Sequence, residues 1–139
     1  MRKFALILGL VFTGLFATAQ ENDGVTITVT VENVLSDGGT ILGGLHTADT
    51  FMKGQGVASA IVPAKEGEVT LTFENVQPGT FAVMVMHDKN DNMRMDMEAN
   101  GMPKESYGMT GPMDSYGPPT FEAAKFEVAN EDLDFRIRF

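Results

Sequence analysis

Alternation with period two constrains this chain more than any other feature. In "VTITVTVENV" (25–34), Val25, Ile27, Val29 and Val31 alternate with Thr26, Thr28, Thr30 and Glu32. That pattern describes a strand with one buried face and one wet face. "EVTLTFENV" repeats it with Val69, Leu71 and Phe73 on one side, and "LDFRIRF" with Leu133, Phe135, Ile137 and Phe139. No helical period of useful length competes with it. The turn "SDGG" (36–39) predicts that "TILGGLH" (40–46) is the hairpin partner of the first strand. "VASAIVPA" reads as a weaker strand that Pro63 ends or places at an edge. "QPG" leads into "TFAVMVMH" (80–87), apolar on both faces and so expected at a sheet centre. "AAKFEV" and the turn "ANED" precede the last strand. Six or seven short strands joined by Gly/Pro turns predict an all-β fold, a single antiparallel β-sandwich of immunoglobulin or prealbumin type. Phe73, Phe81, Phe135 and Ile137 are its expected core.

Ahead of these strands stands "MRKFALILGLVFTGLFATAQ". Arg2 and Lys3 start it, an apolar run follows from Phe4 to Phe16, and Ala17-Thr18-Ala19 fits a small-residue cleavage site. The run is shorter than the ~20 residues a bilayer span needs, so a signal peptide over 1–19 is expected rather than an anchor. The remaining residues, 20–139, suit one domain. Such a product would be secreted or periplasmic, and soluble. Taking Arg2 and Lys3 from ten basic residues leaves eight against nineteen acidic ones, a formal charge of −11. This surface repels nucleic-acid phosphates and attracts cations. With no cysteine there is no disulfide framework and no thiolate metal site.

Residues 88–120 are of a different kind, rich in Gly, Pro, Asn, Asp and Met and without period. A loop of that length in a compact domain is usually functional or disordered. It opens with "HDKNDNMRMD" (87–96). Asp88, Asn90, Asn92 and Asp96 occupy positions 1, 3, 5 and 9 of a calcium-type loop, with the Arg94 carbonyl at position 7. Hard cations take six to eight oxygens, and Glu98 or Glu105 could complete the shell. The EF-hand template also needs Gly at position 6 and Glu at position 12. Met93 and Ala99 stand there, so this is not an EF-hand. The competing reading is a set of Asx-turns leading the chain out of its strand.

Two other chemistries meet the same residues. Eight of the nine methionines after Met1 lie between Met84 and Met113. Thioethers favour Cu(I), and Met93, Met95 and Met97 beside His87 raise a copper site as an alternative. Methionine is also a compliant core filler, and Met84 and Met86 sit inside a strand. For catalysis, His87 with Asp88 and Ser106 or Ser115 would be needed as a triad. Strand neighbours point to opposite faces, and no nucleophile elbow is present. His46 has no partner at ligand spacing. The residues argue against an enzyme.

Three ordered segments carry a resemblance. "PGTFAVMVMHDKNDNMRMD", "GMPKESYGMT" and "GPPTFEAAKF" together resemble the uncharacterised secreted bacterial family called domain of unknown function 2141. The matching positions are His87, Asp88, Asn90, Asn92 and Asp96, then Gly101, Pro103, Glu105, Tyr107 and Gly108, then Pro118, Pro119, Phe121 and Ala124. The family pattern has Gly where this chain has Met93. "PGTFAVMVMHD" is also similar to the closing strands of prealbumin-like and collagen-adhesin-type sandwiches. What the resemblance implies is a binding or stalk module rather than an enzyme, with Tyr107, Tyr116 and Phe121 pinning the long loop to the sandwich. The first expectation is therefore a secreted, non-catalytic sandwich with calcium in the 88–98 loop. The second is a metal-free module that binds a protein or small molecule through the 88–120 loop, whose Tyr, Met and Pro suit a contact surface.

Overall fold

The structure is a computed structural model and describes residues 24–112 and 118–139. The expected signal segment, Ser115 and Tyr116 lie outside the described residues. Among the described residues eight strands form: β1 (Val25–Val34), β2 (Thr40–His46), β3 (Ala58–Pro63), β4 (Gly67–Val76), β5 (Gly79–Asp88), β6 (Tyr107–Met109), β7 (Phe126–Val128) and β8 (Leu133–Arg138). One helical turn, α1 (Phe121–Ala124), was not anticipated by periodicity; Thr120 caps it by accepting from the Ala123 N–H at 3.3 Å. Among the described residues no helix is long and apolar enough to cross a membrane.

The strands form two facing sheets. Sheet one has the order β4-β1-β8; sheet two has β3-β2-β5-β6, with β7 also pairing β5. An all-β sandwich results. The inward phase of β1 is fully enclosed, with Ile27, Val29 and Val31 packed against Leu71, Phe73, Ile41, Val83 and Val85. Each such side chain contributes roughly 1.5–3 kcal/mol by leaving water. Gly108 faces this core from β6. A Cβ there would collide with Ile137 Cγ2 of β8, so glycine is what lets the two sheets close at that edge.

Three expectations need correction. β1 and β2 are not a hairpin: β1 pairs antiparallel with β4 and parallel with β8, while β2 pairs with β3 and β5. One pairing in the antiparallel sandwich is thus parallel. Alternation says which residues face the core, but not which strand lies alongside. The 35–39 connection crosses between sheets because its partners fix it there: Asp37 Oδ1 accepts the Glu66 N–H at 2.7 Å, and the Gly38 carbonyl lies 2.6 Å from His87 Nε2. Thirdly, Phe73 and Ile137 are buried, but Phe81 and Phe135 are only partly so. Phe135 lies on the outermost strand of its sheet, stacked against Phe126 with centroids 4.5 Å apart.

The short connections (35–39, 64–66, 77–78 and 129–132) all change sheet, whereas the long ones stay within sheet two. Segment 47–57, and residues 110–112 and 118–125 of the other long connection, lie over sheet two's outer face. There a second core forms from Phe51, Ala82, Met109 and Ala124, with Met84, Tyr107 and Phe121 against it. This is why β5 reads as apolar on both faces: Val83 and Val85 fill the main core, Ala82 and Met84 the second. Tyr107 and Phe121 do pin their segments to the sandwich. Thr110 ties the layers together by donating to the Ala124 carbonyl at 2.6 Å and accepting the Val83 N–H at 3.1 Å.

Candidate functional site

Strand β5 ends with His87 on its core side and Asp88 on its outer side, both fully buried. A buried carboxylate needs compensation. Asp88 finds it in the backbone just ahead, accepting the Asn92 N–H at 3.2 Å and the Met93 N–H at 2.7 Å. To aim both N–H groups back at one side chain, the chain enters the left-handed region at Asp91 (φ 56°) and Met93 (φ 63°). Two Asx-turns sit inside this coil: Asn90 Oδ1 accepts the Asn92 N–H at 3.4 Å, and Asn92 Oδ1 accepts the Arg94 N–H at 3.1 Å. Asp91 Oδ1 accepts the Thr40 hydroxyl at 3.1 Å and fastens the coil to β2.

Asp96 closes the cluster. Its carboxylate accepts Asn90 Nδ2 at 2.7 Å and Asn92 Nδ2 at 2.8 and 2.9 Å. Those two amide hydrogen bonds hold its pKa below the ordinary aspartate value. A small hairpin follows, in which Met97 bridges Pro103 and the Lys104 N–H donates to the Asp96 carbonyl at 2.8 Å. It carries Glu105 back beneath the loop, only 7 % exposed, with Oε2 buried and unpartnered. Burial pushes the Glu105 pKa up; the Asp96 backbone N–H opposes this, and the Asp88 and Asp96 charges add to it. Asp88, Asp96 and Glu105 thus converge electrostatically. Glu98 does not join them: it is exposed, with its carbonyl closing the 98–101 turn.

Chemically, the cluster is held by its own amides. Where a cation's charge would fall on Asp96, the NH2 groups of Asn90 and Asn92 now stand. Rotating each amide by half a turn would replace these donors by Oδ1 acceptors and give up both Asx-turns. As folded, and among the described residues, no three His, Asp or Glu side chains are grouped to hold a metal ion. The Asx-turns exist, and hydrogen bonds link Asp88, Asn90, Asn92 and Asp96 around them, while Glu105 feels the charges of Asp88 and Asp96.

The copper and triad alternatives fare differently. His87 is sealed inside the core, its Nε2–H given to the Gly38 carbonyl, and cannot reach surface thioethers. It also faces away from Asp88, while Ser106 meets it only through the backbone, accepting the His87 N–H at 2.8 Å. Met93, Met97 and Met102 project from the loop with 57, 54 and 60 % exposure. Sequence reasoning missed a further feature. Strand register sets Ile61, Leu42, Met86 and Tyr107 in one cross-strand row over sheet two's outer face. The outward phase of "TILGGLH" and "TFAVMVMH" held that signal, but only pairing aligns the two.

The family model of an uncharacterised protein conserved in bacteria, DUF2141, matches residues 29–136, from the middle of β1 into β8. The chain belongs to the DUF2141 family. No curated protein and no solved structure matches it. Within the DUF2141 pattern noted above, the glycine position is the one occupied here by Met93. Its left-handed φ of 63° is the reason glycine suits it.

Proposed function

We propose that this DUF2141 protein is an extracytoplasmic, non-catalytic β-sandwich whose 88–106 loop is organised by a hard cation of the calcium type. One observation carries the reading: Glu105 has a buried, unpartnered Oε2, and its carboxyl group feels the charges of Asp88 and Asp96. A buried carboxylate oxygen without a donor is costly, and a cation would offset that cost while neutralising the three acids. Asp96 and Glu105 would supply carboxylate oxygens, Asn90 and Asn92 amide oxygens after rotation, and Asp88 would keep bracing the coil through its two backbone N–H groups. Calcium tolerates such a mixed, flexible oxygen set better than magnesium does. The N-terminal segment with its Ala17-Thr18-Ala19 pattern supports the location.

Calorimetric and thermal-shift titration of the mature chain tests the cation. Calcium at a hundred times its dissociation constant would add about 2.7 kcal/mol of stability. Glu105→Gln and Asp96→Asn should each abolish or sharply reduce the shift without unfolding the calcium-free protein. A wild type indifferent to millimolar calcium would overturn the proposal. The half-exposed row Ile61–Leu42–Met86–Tyr107 favours a second reading, a metal-free surface for an apolar ligand; binding of such a ligand unaffected by chelator would distinguish it.

A further inference from the structure

The 47–57 segment, between β2 and β3, lies over sheet two away from the acidic loop. Its internal turn is complete: the Thr50 and Phe51 N–H groups donate to the Thr47 carbonyl at 3.2 and 3.0 Å, and the Thr47 N–H donates to Thr50 Oγ1 at 3.0 Å. Among the described residues its ties to the sheet are few. The Val57 N–H donates to the Leu45 carbonyl at 2.8 Å. Phe51 plugs the second core, edge-on to Phe121 at a centroid distance of 5.9 Å. His46 supplies the rest: its Nδ1 lies 3.2 Å from the Thr50 carbonyl, and its ring meets Phe51 edge-on at 6.1 Å.

A carbonyl only accepts, so Nδ1 carries the proton and Nε2 is bare in the neutral ring. Nε2 lies beside Gly44, where a Cβ would come within 2.7 Å of it, so the ring fits only because that side chain is absent. Among the described residues, protonation places a charge in a setting without a counter-ion. The 47–57 segment carries only Asp49 and Lys53, both exposed. β3 carries no titratable side chain, and residue 82 of β5, opposite His46, is alanine. The acidic and basic groups of α1 and its cap, Glu122 and Lys125, pair with each other at 2.6 Å.

We propose that His46 is a pH-sensitive latch: its protonation releases the 47–57 segment and lifts Phe51 from the second core while the sandwich stays folded. Burial holds the His46 pKa below its ordinary value, with the Thr50 carbonyl opposing, so the closed segment favours the neutral ring. The sign follows. Closure is fully supported above the unfolded value of 6.5 and weakens as the pH falls from there through the folded value. One proton can raise the open population by at most about tenfold per pH unit. What opens is an apolar surface of Ala82, Met84 and Met109 beside the cross-strand row.

NMR of the labelled mature chain from pH 8 to 5, with an apolar fluorescent dye as second readout, tests this. Amides of 47–57 and the Met109 methyl should shift along one single-proton curve with a midpoint below 6.5. Dye fluorescence should rise on the same curve, while the methyls of Ile27, Val29 and Leu71 hold still. His46→Gln and the aromatic, non-titrating His46→Phe should both be flat. Segment signals flat in the wild type, the same curve in the variants, or main-core methyls moving together with the segment would each overturn the latch.

Discussion

Replacing Met93 by glycine and, separately, by alanine isolates the cost of holding a side chain in the left-handed region. Met93 has φ 63°, and its N–H is committed to Asp88 Oδ2 at 2.7 Å, so the coil cannot relax without unpairing a buried carboxylate. A Cβ in that conformation costs roughly 1–2 kcal/mol. Glycine avoids this but forfeits about 0.5–1 kcal/mol through the greater freedom of its unfolded chain. The glycine variant should therefore exceed the alanine variant by roughly 0.5–1 kcal/mol, the reverse of the usual order. The thioether is 57 % exposed, and its lost contacts weigh on both variants alike, so they cancel in the comparison. For a domain this size the gap corresponds to about 2–6 °C in Tm. Calorimetry and guanidinium denaturation in chelator, with unchanged m-values, would measure it. An alanine variant as stable as the glycine variant would refute the claim that backbone strain is stored here.

Other outcomes can be checked by the same means. Phe73→Ala should cost about 3–5 kcal/mol in chemical denaturation and Phe135→Ala roughly half as much, since only the first ring is enclosed on all sides. Thr110→Val should cost about 1–3 kcal/mol by orphaning the Val83 N–H and the Ala124 carbonyl, and hydrogen exchange should quicken at Val83 and around α1 first. Intact mass of protein recovered outside the cytoplasm should correspond to a chain beginning at Gln20; a product still carrying Met1 to Ala19 would contradict the expected cleavage.

Much of the candidate site was legible before folding. Its opening oxygens fall within nine consecutive residues, so the local coil alone gathers Asp88, Asn90, Asn92 and Asp96. The choice between Glu98 and Glu105 was not legible, because it depends on the Met97–Pro103 hairpin. That hairpin turns Glu98 outward and returns Glu105 beneath the loop. The orientation of the two amides was equally hidden, since it is set by where Asp96 comes to rest.

By itself the sequence determined the strand phases and the two-faced character of β5. It also determined that the residue at position 93 is at odds with its turn. These follow from local sterics and period-two geometry, which act within a few residues. Only the tertiary structure decided that the short turns change sheet, that β8 runs parallel to β1, and that a second core covers one outer face. It also decided that His46 closes a segment over that core. Those outcomes come from packing two sheets against each other. Burial rewards any arrangement that covers the apolar faces, and the contacts that select one, such as Gly108 against Ile137, join residues far apart in the chain.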